Sequence, residues 1–147
     1  MIKSITPFLW FNNEAEEAAH FYVSLFPDSS VQSSGPIITN FTLCGLALMA
    51  LNGGPNYKFT PAFSLFVSVE TQAEVDQLWD ALLADGGKPS RCGWLKDKYG
   101  LSWQIIPALL GELMGDQDEK KSAAVFAAMM QMIKIDVAEL RRAYDEA

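Results

Sequence analysis

The chain has 147 residues, 50% of them hydrophobic and 20% charged, and its 11 Lys and Arg against 18 Asp and Glu give a net charge of −7. Such a chain suits one compact acidic domain with a sizeable core. Its scattered basic residues exclude nucleic-acid binding, which needs clustered Lys and Arg to displace counterions from phosphates, and it has no run of about 18 uncharged apolar residues to span a bilayer.

Met1-Ile2-Lys3-Ser4 lacks the long apolar core of a signal peptide, so the cytoplasm is the expected compartment. Pro7-Phe8-Leu9-Trp10-Phe11 then forms an apolar run typical of a strand. Ala18, Phe21, Tyr22 and Leu25 follow at helical spacing, introduced by Asn13 and Glu16 in a capping-box arrangement and stopped by Pro27-Asp28. Residues 32–42 and 45–51 read as strands joined at a Cys44-Gly45 turn. Asn52-Gly53-Gly54-Pro55 closes this stretch.

The pattern then recurs. Ser64-Leu65-Phe66-Val67-Ser68-Val69 is a second apolar run, and Val75, Leu78, Trp79 and Leu82 repeat the first helix 57 positions later. Thr71 and Glu74 form its capping box, and Gly86-Gly87 its stop. Residues 91–96 and 100–106 read as strands joined through Asp97-Lys98-Tyr99-Gly100. An α+β fold of two repeats, about 1–54 and 62–107, within a single domain spanning 1–147 is therefore expected. Residues 118–147 read as a further helical segment, with Phe126, Met129, Met130, Ile133, Val137, Leu140 and Tyr144 along one stripe. That stripe is covered either by its own domain or by a partner subunit, with the methionines as adaptable filler.

The cysteines, Cys44 and Cys92, form no disulfide framework in a chain of this size, and each is expected as a small buried residue. Arg91 and Lys96 flank Cys92, and neighbouring positive charge favours thiolate. His20, the only histidine, falls two positions from Ala18 and Tyr22 and so off their buried face. The carboxylates of Glu14, Glu16 and Glu17 crowd a helix start, where they offset the macrodipole.

Thr6-Pro7-Phe8-Leu9-Trp10-Phe11, Ala15-Glu16-Glu17-Ala18-Ala19 with Phe21-Tyr22, Leu51-Asn52-Gly53-Gly54, and Cys92-Gly93-Trp94-Leu95-Lys96-Asp97-Lys98-Tyr99-Gly100-Leu101-Ser102-Trp103-Gln104-Ile105 together carry a family resemblance. In them the chain resembles the PhnB-like branch of the glyoxalase, bleomycin-resistance and extradiol-dioxygenase superfamily, the vicinal oxygen chelate fold. The resemblance implies two βαβββ modules curled into an open shell around a ligand or metal pocket, a C-terminal helix, and a homodimer. It also implies metal ligands, His, Gln or Glu, on the first and last strands of each module. Carried to this chain, those positions hold Thr6 or Pro7, Met49, Ser64 and Gln104, of which only Gln104 suits a divalent cation. No metal and no cofactor are therefore expected. Some relatives of this branch carry a methyltransferase label tied to ubiquinone synthesis, but Gly53-Gly54 leads into Pro55-Asn56 and not into the helix of a nucleotide-binding turn.

Strand alternation places Ser64, Phe66 and Ser68 on one face, and Ser102, Gln104 and Ile106 on the matching face of the last strand. With Met49, Cys92 and Trp94 they form the expected pocket lining, mostly apolar with a few polar hooks, suited to a small, partly apolar molecule. The expected function is metal-independent binding of such a ligand. The alternative is a superfamily enzyme, with an atypical metal site around Gln104 or a metal-free activity at Cys92.

Overall fold

The computed structural model describes residues 1–147, which fall into two compact units, residues 1–59 and 60–147. The first contains β1 (Phe8–Phe11), α1 (Ala15–Leu25), β2 (Ser30–Ser34), β3 (Ile38–Leu43) and β4 (Leu46–Asn52). The second repeats this order as β5 (Ser64–Val69), α2 (Gln72–Leu83), β6 (Lys88–Pro89), β7 (Trp94–Lys96) and β8 (Ser102–Pro107). It continues into α3 (Ala108–Met114), α4 (Glu119–Met129) and α5 (Val137–Glu146). The sheets share one topology, β1-β4-β3-β2 and β5-β8-β7-β6, with the first and last strand of each module paired in parallel. The α+β fold of two βαβββ modules with a helical C-terminal segment is thus present, and no helix is long and apolar enough to cross a membrane.

Each helix buries one face against its own sheet. In the first unit Ala15, Ala18, Ala19 and Tyr22 of α1 are buried, as are Leu9, Phe11, Phe41, Leu48 and Ala50 at alternate strand positions. In the second, Val75, Leu78, Trp79 and Leu82 of α2 are buried together with Leu95, Trp103 and Ile105. Full burial of each large apolar side chain contributes about 1.5–3 kcal/mol.

Helix ends show how far local pattern carries. Thr71 and Glu74 form the expected capping box at α2. At α1 the expected Asn13–Glu16 box is absent: Glu14 occupies the cap position without a side-chain bond to the helix N–H groups, and the Asn52 amide oxygen accepts the Ala15 N–H at 2.9 Å. α1 ends at Leu25 with the extended Phe26 and then Pro27, and α2 ends at Leu83; an aspartate in the left-handed region follows each, Asp28 at φ 49° and Asp85 at φ 60°, a conformation Asp tolerates better than most residues.

The stretch expected as a single strand over 32–42 is two strands. Proline at 36 has no N–H for a ladder, and the Gly35 N–H turns back to the Ile38 carbonyl at 2.9 Å. The cysteines also differ from expectation. Cys44-Gly45 has φ values of 47° and 83°, and Cys92-Gly93 has 58° and 85°, the paired positive values of a type I′ turn. A turn projects its side chains outward, so Cys44 is exposed and Cys92 partly exposed.

The terminal stripe does not run through one helix. Residues 130–136 interrupt it between α4 and α5, which breaks the phase and leaves Phe126 and Ile133 about half exposed, at 48% and 54%. Leu140 of the stripe is buried as expected, and with it Val125 and Ile135 from outside the stripe, packed with Ile106, Leu110 and Leu113. The terminal helices therefore cover their own unit, and α3, which was not anticipated, supplies much of the contact.

Asp97 anchors the β7–β8 connection from a position only 3% exposed. Its carboxylate accepts the N–H groups of Tyr99 and Leu101 at 2.8 and 3.0 Å and the Trp103 indole N–H at 2.9 Å.

Thr71→Ala and Asn52→Ala should each lower stability by about 1 kcal/mol in urea denaturation, whereas Asn13→Ala should change it by no more than a few tenths. Asp97→Ala strands three donors and should cost at least about 2 kcal/mol in the same measurement.

Candidate functional site

The parallel register of β5 with β8 sets Phe66 beside Gln104, and the antiparallel register of β8 with β7 sets Trp94 on its other side. These three side chains form a row across the sheet face opposite α2. Gln104 is fixed within the row because its Nε2 donates to Ser64 Oγ at 3.0 Å. Beyond the row, Ile106 continues the same face toward the end of β8.

Chain after β8 turns over this face. Leu110, Gly111 and Met114 of α3, Met129 of α4 and Cys92 of the turn before β7 join Phe66, Trp94, Gln104 and Ile106 around a cleft of about 330 Å³. None of the nine carries a charge. Gly111 sits inside α3, yet a Cβ built there meets no atom within 4 Å. Glycine in a helix interior costs about 0.5–1 kcal/mol relative to alanine, and here it leaves space above the helix.

Polar clamps hold the cleft walls. The Gln72 amide donates to the Ile135 carbonyl at 3.0 Å and accepts the Val137 N–H at 2.7 Å, which ties the start of α2 to the segment between α4 and α5. Lys134 pairs with Asp76 at 2.8 Å. The Lys134 hydrogen bond, followed by that of Gln72, holds the Asp76 carboxyl below its ordinary value, and the same bond to Asp76 raises Lys134. Tyr144 donates to Asp116 at 2.7 Å. The Asp118 backbone N–H, then Tyr144, lowers the Asp116 carboxyl, while the bond to Asp116 raises the phenol.

Of the residues expected to line a pocket, Phe66, Cys92, Trp94 and Gln104 come together in this cleft. Ser64 supports Gln104 from the neighbouring position, and Ser102 is buried beside it, 1% exposed. Met49 lies in the first unit, on β4 between Phe8 and Asn40. His20 is largely exposed on α1, 3.8 Å from Glu16. Sequence reasoning missed Leu110, Gly111 and Met114, although Leu109, Leu110, Leu113 and Met114 follow Pro107 at helical spacing.

The positions that the resemblance assigns to metal ligands hold Thr6 or Pro7, Met49, Ser64 and Gln104, without a carboxylate or imidazole among them. No three His, Cys, Asp or Glu side chains gather anywhere in the chain. A thioether, a hydroxyl and a single amide oxygen do not make a zinc site, which takes imidazole, thiolate or carboxylate donors, nor a magnesium site, which takes several oxygens with at least one carboxylate.

The profile of the 3-demethylubiquinone-9 3-methyltransferase family matches residues 3–106. A PhnB protein from Bacillus cereus, given the same methyltransferase description, is 38% identical with a TM-score of 0.65, over 72% of this chain and all of its own. The chain belongs to the PhnB-like family. Its fold is also that of Pseudomonas aeruginosa PA1353, at 22% identity and a TM-score of 0.57 over 72% of this chain and 98% of that one. The fosfomycin resistance protein FosX of Listeria monocytogenes shares it too, at 16% identity and a TM-score of 0.56 over 76% and 98%. No curated protein matches the chain. The PhnB-like match ends at residue 106, so Leu110, Gly111, Met114 and Met129 stand beyond it.

Lys134→Ala should lower the melting temperature near neutral pH. The Asp76 contribution is present above the ordinary carboxylate range and disappears as pH falls through its lowered value; that of Lys134 is present below the ordinary lysine range and disappears as pH rises through its raised value. The difference between wild type and variant should therefore be flat from about pH 5 to 9 and shrink at both extremes. Thermal melts across pH check this, and a difference unchanged at the extremes would contradict the pairing.

Proposed function

We propose that this PhnB-like chain binds a small, uncharged, partly apolar molecule in the cleft of its second unit, without a divalent metal. The cleft carries the reading: about 330 Å³, apolar walls, and one amide to orient a ligand. Gln104 spends its Nε2 on Ser64, which leaves its Oε1 to accept a hydrogen bond from a ligand N–H or O–H. Uncharged walls disfavour an ionic ligand, because burying an unpaired charge is expensive.

Methyl transfer, named in the description of the matching family, finds no support at the glycines that might cradle a nucleotide. Gly53 packs against the Trp10 indole, where a Cβ would lie 2.3 Å from the ring, and the Gly54 carbonyl accepts the Trp10 N–H at 2.9 Å. Both glycines therefore serve the packing of β1. Cytoplasmic residence and a homodimer belong to the same reading, and Phe8, Ile37 and Leu46, each 46% or more exposed in the first unit, offer apolar surface to a second copy.

N-phenylnaphthylamine, an uncharged aromatic amine whose fluorescence rises in apolar surroundings, tests the cleft directly. It should bind the protein equally with and without a chelator of divalent ions. Gly111→Leu should abolish that binding by filling the cleft, while Gly111→Ala should raise stability by about 0.5–1 kcal/mol. Binding that survives Gly111→Leu unchanged, or that requires a divalent ion, overturns the reading.

A further inference from the structure

The sulfur atoms at one wall of that cleft form a cluster on which the binding reading does not draw. Cys92 Sγ lies 3.9 Å from Met130 Sδ, and Met114 and Met129 line the same cleft as Cys92. The pairing is built into the backbone. The Arg91 guanidinium donates to the Met130 carbonyl at 3.0 Å, and the N–H groups of Cys92 and Gly93 donate to the carbonyls of Met132 and Ile133, both at 2.8 Å. Three hydrogen bonds thus dock the turn that carries the thiol onto the segment that carries the thioether.

We propose that Cys92, Met130 and one cleft methionine form a binding site for a soft monovalent cation of the Cu(I) class. Geometry supports it first. With metal–sulfur bonds of about 2.3 Å, sulfurs 3.9 Å apart subtend roughly 120° at the ion, the angle of a three-coordinate site. Met129 or Met114, each on an unbranched and flexible stem, completes the set. Ligand chemistry supports it next, because thiolate and thioether sulfur select Cu(I) over harder ions.

Charge supports it as well. Binding replaces the thiol proton, which leaves to solvent, with a sulfur–metal bond, and no electron is transferred. One thiolate and one monovalent ion sum to zero, so the filled site adds no charge beside the Arg91 guanidinium, whereas a divalent ion adds a net positive charge there. The site needs no organic ligand and differs in position and donor type from the divalent-metal positions of the superfamily, so it stands or falls separately from the binding reading.

The test uses the full chain carrying Cys44→Ser, which removes the other, exposed thiol. Under anaerobic conditions Cu(I) is titrated in competition with the chromophoric chelator bathocuproine disulfonate. One Cu(I) per chain is expected, held at least tenfold more tightly than by glutathione. Adding Cys92→Ser should eliminate it, and Met130→Leu, a change that conserves volume at a half-exposed position, should weaken it at least tenfold. Ag(I), which is redox-silent, should shift the methyl resonances of Met130 and of either Met114 or Met129. Unchanged affinity in either variant, binding no tighter than glutathione, or silver shifts confined to other methionines would each overturn the site; circular dichroism establishes that both variants are folded.

Discussion

A four-stranded sheet crossed by a single helix buries one face and leaves the other bare, and this chain carries that arrangement twice. The faces toward α1 and α2 hold Leu9, Phe11, Phe41, Leu48 and Ala50 in one unit and Leu95, Trp103 and Ile105 in the other, all at most 2% exposed. Alternation sends the intervening residues the other way: Phe8, 50% exposed, in the first unit, and Phe66, 60% exposed, in the second. The second unit answers this partly within its own chain. Residues after Pro107 fold back as helices whose Leu110, Leu113, Val125 and Leu140 close a core on Ile106. Their coverage stops short of the Phe66–Gln104–Trp94 row, and the cleft is what remains. Its apolar character follows from its origin as half-covered sheet.

The residues that carry the family resemblance serve this scaffold. Asn52 caps α1 through Ala15 and donates to the Pro36 carbonyl, Gly53 makes room for the Trp10 indole, and Gly54 accepts its N–H. In the second unit Asp97 organises the connection that delivers Ser102, Trp103 and Gln104 to β8. A buried carboxylate bound by three donors is costly to replace, since removing it leaves each donor unpaired. Such residues position the last strand of each module, and in the second unit the polar group of the cleft with it.

Local signals were legible wherever cause and effect lie close in sequence. The Thr71 capping box, the Val75–Leu78–Trp79–Leu82 face and the common face of Ser64 and Gln104 each depend on spacings of two to four residues or on strand alternation, and each is found. The misplaced features depend on distance. Asn52 caps a helix 37 residues away, and nothing around Asn13 signals that its own cap is displaced. Pro36 splits the stretch that reads as one strand over 32–42 by removing a donor. The terminal stripe, continuous on paper, loses its phase at residues 130–136, where the Gln72 amide and Lys134 bind segments to α2 and not to a helix axis. Cys92 reads as a strand residue because its apolar neighbours do, but it occupies a left-handed turn at φ 58°.

The family match covers only one wall of the candidate cleft. The matched span ends at residue 106, within β8, and covers the strands that supply Phe66, Trp94, Gln104 and Ile106 and the turn that supplies Cys92. The opposing wall, Leu110, Gly111, Met114 and Met129, is built entirely from residues that follow. A ligand seated in the cleft contacts both, so its shape is set as much by the unmatched helices as by the shared core. The notch above Gly111 illustrates this: alanine there has room and favours the helix, so the glycine is better explained by the space it leaves than by the helix it interrupts. Relatives that share the βαβββ modules but not these helices share the floor of the site without its ceiling, and a description attached to the common fold therefore carries little information about what this chain binds.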